Sequence, residues 1–175
     1  MVLKKYRFPI AMVIAMIALY FINEELGKKA AEITGNSLLE MVSILPPVFI
    51  FLGLLDVWVP KETMIKFLGE HSGILGVVIS FIMGSAAAGP LYGAFPIAAV
   101  LMKKGAKFSN VLIFIGAWST TKIPMFMFEI TSLGPRFAIT RLLVDIVGIM
   151  IIAYVIQKLL SKEEVQAIYD KAESM

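Results

Sequence analysis

The chain alternates between long apolar runs and short charged intervals. The first run covers about 7–23 and holds sixteen uncharged residues, Phe8 to Asn23. That is slightly short of the ~20 residues a spanning helix needs. Residues 24–37 include Glu24, Glu25, Lys28, Lys29 and Glu32 and predict a loop or a short surface helix. The second run, about 38–59, starts after Asn36 and Ser37, two residue types that cap helices. Pro46-Pro47 in its middle predicts a kink, and Trp58 near its end suits a membrane interface. In residues 61–71, Met64, Ile65, Phe67 and Leu68 alternate with Lys61, Glu62 and Lys66. This predicts a short amphipathic helix lying on a membrane surface, with a simple polar connector as the alternative.

The third run is the longest. Ser72 to Met102 is 31 residues without a charged or histidine side chain. As one helix it would measure ~46 Å at 1.5 Å per residue, well beyond a ~30 Å hydrocarbon core. It is too short for two spans. Its middle reads GSAAAGPLYGAFP, Gly84 to Pro96, with three glycines and two prolines. The spacing predicts a segment 73–103 made of two partial helices, about 73–87 and 92–103, with a broken centre. Irregular backbone at membrane depth must be covered by protein or line a water-filled cavity. Ser80, Gly84 and Ala88, and separately Gly89 and Gly93, have the small-xxx-small spacing that lets helices approach closely.

Two further runs follow, about 108–131 and 136–160, joined by the turn Thr131–Pro135. Residues 161–175 predict a soluble helix. Ser161 and Glu164 have capping-box spacing, and Val165, Ile168, Tyr169 and Ala172 form a weak apolar stripe. The fold class is all-α: a polytopic membrane helix bundle over 1–160, with a hairpin-like Gly/Pro-rich broken helix pair, and a cytoplasmic C-terminal helix.

Composition agrees with this reading. Hydrophobic residues make up 59% of the 175 and charged residues 17%, against ~45–50% and ~25% in soluble domains. No cleavage-site pattern follows the first run, so it predicts a retained helix rather than a secretory signal. The net charge of +3 fits membrane anchoring and gives no reason to expect a nucleic-acid partner. Without cysteine there is no disulfide or thiolate metal site, and the lone His71 cannot build a histidine cluster, so no metal and no cofactor is expected. With the N-terminus inside and segment 73–103 returning to its side of entry, eleven of the lysines and arginines fall on the cytoplasmic side. Lys28, Lys29 and Arg136 face outward. The positive-inside rule favours this hairpin arrangement, in the cytoplasmic (inner) membrane, over a single crossing.

Ionisable groups inside the apolar runs are few and costly, which makes them functional candidates. Lys122 and Glu129 lie in the fourth run, and Arg141 and Asp145 in the fifth. In an antiparallel hairpin centred between Leu133 and Gly134, Lys122 and Asp145 are equidistant from the turn. This predicts a Lys122–Asp145 pair, shared with Arg141 at i, i+4 from Asp145. Glu129 matches Arg136 in depth to within one residue. The alternative is that these pairs only hold two helices together, since a buried pair is weak evidence for stability. Pro124 frees the carbonyl of Thr120, and Ser119, Thr120 and Thr121 put hydroxyls beside that break. Either an unwound polar patch of the kind transporters expose or a kink satisfied by a nearby hydroxyl fits. Tyr92 is the one side chain in the 84–96 break with a phenolic hydroxyl.

The order of these pieces over about 48–160 resembles the predicted-permease family that includes the organoarsenical efflux permeases. The matching elements are Gly89-Pro90-Leu91-Tyr92-Gly93-Ala94-Phe95-Pro96, Lys103-Lys104-Gly105, Ala117–Pro124 and Leu133–Arg141. The resemblance implies a permease, with a path along Gly89, Pro90, Tyr92, Gly93, Pro96, Ser119, Thr120, Thr121, Lys122, Pro124 and Asp145. Relatives commonly carry Cys-Ser-Cys-Gly before the second proline of the break; here the place reads Leu91-Tyr92-Gly93-Ala94. Relatives also carry two such repeats, and this chain carries one. The resemblance therefore implies at least a homodimer, parallel rather than inverted given the charge bias, moving an unidentified small solute through the bilayer. The alternative function is a non-transporting scaffold or accessory subunit. An enzyme is the weakest reading, because no nucleophile–base set, metal cluster or phosphate loop is present.

Overall fold

A computed structural model describes residues 2–87 and 89–173, and the side chains within them except at 2–5, 44, 45, 48, 51, 52, 55 and 56. The described residues are helical, with no strand among them. They divide into two compact units, one through Pro47 and one from Val48.

The first unit is a helical hairpin. Helix α1 (Val2–Ile22) is followed at once by α2 (Glu24–Trp58). Asn23 makes the turn, and its Oδ1 accepts the Leu26 N–H at 3.1 Å, so it caps α2. Gly27 lets the two helices meet: a Cβ there would lie 2.4 Å from the Tyr20 Cα. In place of the expected loop or short surface helix, 24–37 is the continuous start of the long helix α2. Its residues are good helix formers, with Glu24 and Glu25 favourably placed in the first turn. Thr34 and Ser43 turn their hydroxyls back onto the carbonyls of Ala30 and Leu39, both at 2.8 Å. Pro46 and Pro47 lie inside α2, and the border between the two units falls directly after them.

The second unit holds α3 (Lys61–Leu68), α4 (Gly73–Ala86), a 3-10 turn (Leu91–Gly93), α5 (Ala94–Lys103), α6 (Phe108–Thr120), α7 (Ile123–Leu133), α8 (Pro135–Leu159) and α9 (Lys162–Glu173). Helix α3 is bent 107° from α4. It buries Met64 and Leu68, one turn apart, and leaves Lys61, Glu62 and Lys66 exposed. That is the amphipathic alternative for 61–71. The span 108–133 and α8 are each long and apolar enough to cross a membrane. Helix α6 is central, packed by α4, α5 and α8, whereas α8 leaves most of its apolar surface open.

The 73–103 segment is a hairpin. The Lys107 N–H donates to the Leu68 carbonyl at 2.7 Å, so the start of α6 lies beside the end of α3. Buried Asn110 donates to the same carbonyl at 2.9 Å and to the Ser72 hydroxyl at 3.0 Å. Entry and exit are thus locked together at one end of the bundle. Ser80 and Gly84 are buried in the seam between α4 and α6; Ala88, the third residue of that spacing, lies outside the described residues. A Cβ on Gly84 would meet the Phe114 carbonyl at 2.5 Å. Helix α9 has both capping-box bonds: the Ser161 N–H reaches the Glu164 carboxylate at 2.8 Å, and the Glu164 N–H reaches the Ser161 hydroxyl at 3.2 Å. The Ser161 N–H on the carboxylate, and next the Ser161 hydroxyl beside it, favour the charged form and hold the Glu164 pKa below its ordinary value.

Candidate functional site

Two interrupted helices face each other in the second unit. In the first, α4 ends at Ala86, and the next residue, Ala87, is extended at φ −70° and ψ 145°. Gly89 follows at φ +97°, a conformation that favours glycine because it has no Cβ. Pro90 at φ −73° then leads into the 3-10 turn. In the second, α6 ends at Thr120 and α7 begins at Ile123. Thr121 and extended Lys122 form the gap, and Pro124 occupies the first turn of α7, where its missing N–H costs nothing.

The two gaps are tied to one another. The Lys122 ammonium donates to the Gly89 carbonyl. One turn earlier, the Trp118 indole N–H donates to the Pro90 carbonyl at 3.2 Å. Consecutive carbonyls released by the first break are therefore held by side chains flanking the second. The Ser85 and Thr121 hydroxyls are 2.8 Å apart. Thr121 directs its proton to the Ala117 carbonyl at 3.1 Å, so Ser85 is the donor between them. Ser119 and Thr120 instead turn their hydroxyls back to the Gly116 carbonyl.

Beyond the second break lies an ionic cluster centred on Arg141. Its Nε donates to Glu129 at 2.8 Å, its Nη1 to Asp145 at 2.9 Å, and its Nη2 to the Thr120 carbonyl at 2.8 Å. The Thr120 carbonyl is the one that Pro124 releases, and a guanidinium takes it rather than a neighbouring hydroxyl. Glu129 is buried, and its side chain is only 8% exposed. One cation between two carboxylates leaves the cluster with a net charge of −1 when both acids are ionised.

The partners differ from those that depth matching predicts. Lys122 is not joined to Asp145, and Glu129 is not joined to Arg136. Matching along the axis fixes height but not direction around the helix. Lys122 caps α7 and leans toward the α4 break. At 100° per residue, Arg136 stands about 140° around α8 from Arg141 and faces outward. Of the remaining candidates, Gly93 is buried, Gly89, Pro90 and Pro96 are half-buried, and Tyr92 and Ser119 are exposed. The tip of the first break is the more open part, with Phe95 at 54%. Sequence reasoning does not single out Trp118, Ser85 or Asn110. The signal available for Trp118 is its position one turn before Lys122.

Residues 27–174 match ArsP_1, a family of predicted permeases. The chain belongs to this family. It is a multi-pass membrane protein, and membership favours a transporter over an enzyme. No curated protein and no solved structure matches the chain. The family match takes in both interrupted helices and the whole Arg141 cluster. This ArsP_1 protein has no cysteine, so its broken segment offers backbone carbonyls, a phenol and an ammonium rather than thiolates.

Proposed function

We propose that this chain is a permease subunit that moves a small polar solute or ion across the cytoplasmic membrane as a homo-oligomer. The carrying observation is that two interrupted helices meet, with Lys122 and Trp118 on the Gly89 and Pro90 carbonyls. Paired helix breaks are where transporters place substrate sites, because broken backbone supplies polar groups inside the bilayer. The path runs past Gly89–Pro96 on one side and Ser119–Lys122 on the other, with the Arg141 cluster beyond. Lys122 supplies a positive charge to an anionic or zwitterionic solute.

A second copy completes the path. Leu91, Tyr92 and Phe95 are exposed around the broken backbone, and such backbone needs protein cover at membrane depth. The termini lie on the cytoplasmic side, where the lysines of the 59–71 and 103–107 turns and of α9 collect.

The second reading is a scaffold. It is favoured by the same bonds, since both freed carbonyls already have partners within the chain. Cysteine accessibility separates the two, and the natural chain provides a clean background. Tyr92→Cys and Ser119→Cys are treated in intact membranes with a membrane-impermeant thiol reagent. A permease predicts modification at both positions, protected when the transported solute is added. Lack of reaction at both, with full reaction after detergent denaturation, would rule out the path and leave the scaffold.

A further inference from the structure

At the end of the bundle where the 73–103 hairpin enters and leaves, α3, the 103–108 turn and α9 border a half-open cavity of ≈590 Å³. This volume is within the range of small-ligand sites. Four lysines line it, from three stretches of chain: Lys61 of α3, Lys103 and Lys107 of the 103–108 turn, and Lys162 of α9. An adjoining space of ≈420 Å³ is lined by Lys61, Lys103, Lys104 and Glu173. The acidic groups on the lining are Glu70 and Glu173. Lys107 is paired with Glu70 at 3.2 Å. Among the described residues, Lys61, Lys103 and Lys162 form no ion pair. Three cations thus converge opposite one carboxylate, Glu173.

The floor is apolar, with Phe108, Leu160 and Val165. The wall made by α9 is anchored. The Tyr169 hydroxyl donates to the Ala106 carbonyl at 2.7 Å, and Ala172 is buried. A lysine rim over an apolar floor, at the ends of two membrane-spanning helices, suits a phosphate carried on an amphiphile.

We propose that this cavity is a binding site for a phosphate-bearing anion, gripped by Lys61, Lys103 and Lys162. Two sources share that chemistry: the headgroup of an anionic phospholipid and a free phosphate. The site is separate from the helix breaks and stands whether or not the chain transports.

The test uses the full chain in two arms. In one, nanodiscs of phosphatidylcholine are compared with nanodiscs containing added phosphatidylglycerol, reading thermal stability and the lipid retained on purification. In the other, protein in neutral detergent is titrated with inorganic phosphate and then pyrophosphate. The variant is the triple Lys61→Gln, Lys103→Gln, Lys162→Gln. Its control is Lys66→Gln, Lys158→Gln, Lys171→Gln, which removes the same charge at the same end but outside the cavity. The expected result is binding in at least one arm, weakened about a hundredfold in the cavity triple at roughly tenfold or less per lysine, and changed little in the control. A response to phosphatidylglycerol alone identifies the lipid source, and one to phosphate or pyrophosphate the soluble source. No response in either arm overturns the site. So does equal loss in both triples, which would mean diffuse surface attraction.

Discussion

The Trp118 indole donates to the Pro90 carbonyl at 3.2 Å, joining the end of α6 to the interruption after α4. Lys122, one turn on, does the same for Gly89. Trp118→Phe keeps the ring and removes one donor, while the Gly93 N–H still reaches the same carbonyl at 3.1 Å. The expected loss is about 0.5–1.5 kcal/mol, read as a lower thermal midpoint in detergent. Lys122→Met removes a charged donor and should lose about 1.5–3 kcal/mol. The double variant should fall short of the sum, because both side chains secure one break.

Arg141 satisfies two acids and one carbonyl at once. Arg141→Met strands Glu129 in a buried position, and breaking such a pair costs about 3–5 kcal/mol. The low end is expected because the guanidinium is 22% exposed. The triple variant Glu129→Gln, Arg141→Met, Asp145→Asn should recover most of the loss. A triple as unstable as Arg141→Met would mean that the Thr120 contact dominates.

Gly84 sits where α4 crosses α6 without room for a side chain. Gly84→Ala places a methyl 2.7 Å from the Ala117 Cβ as well as against the Phe114 carbonyl. Overpacking of this kind costs about 1–3 kcal/mol. Gly148 is the control, because a Cβ added there would meet nothing within 4 Å. Gly148→Ala should be neutral or stabilising by up to about 1 kcal/mol.

The hairpin predicts a labelling pattern. His71→Cys and Lys103→Cys, both at exposed positions flanking the 73–103 segment, should react with an impermeant thiol reagent from the same face of sealed vesicles. Ser132→Cys, exposed in the last turn of α7, should react from the opposite face. Labelling of positions 71 and 103 from opposite faces would exclude the hairpin in the membrane.

Burial pushes the Tyr169 phenol up to about 12, with the Glu70 charge adding to the effect. The raised value means the neutral phenol is favoured in the folded state. Its contribution to stability is complete below pH 10 and is lost as pH rises from 10 toward 12. Ultraviolet titration should show a late-ionising component that is absent in Tyr169→Phe. That variant should also loosen α9, measured as faster proteolysis after Leu160.

Much of the architecture is readable from local features. The uncharged length of 73–103 and its Gly/Pro centre predict two half-helices, and α4 and α5 are those half-helices. Ser161 and Glu164 announce the start of α9 by spacing alone. Residues 24–37 are harder to read, because their charge suggests a loop or a short surface helix while their helix propensity continues α2.

Sequence alone establishes where the 73–103 run breaks, which charges lie among apolar residues, and that the chain is a membrane protein. These depend on composition, run length and residues within one or two turns. The choice of partners does not. Lys122 binds the Gly89 carbonyl rather than Asp145, Glu129 chooses Arg141 over Arg136, and Trp118 reaches Pro90 from 28 residues away. Each choice depends on how far one helix is rotated about its axis relative to another. That rotation is set by close approach at residues such as Gly84 and Gly116, so it exists only once the helices pack.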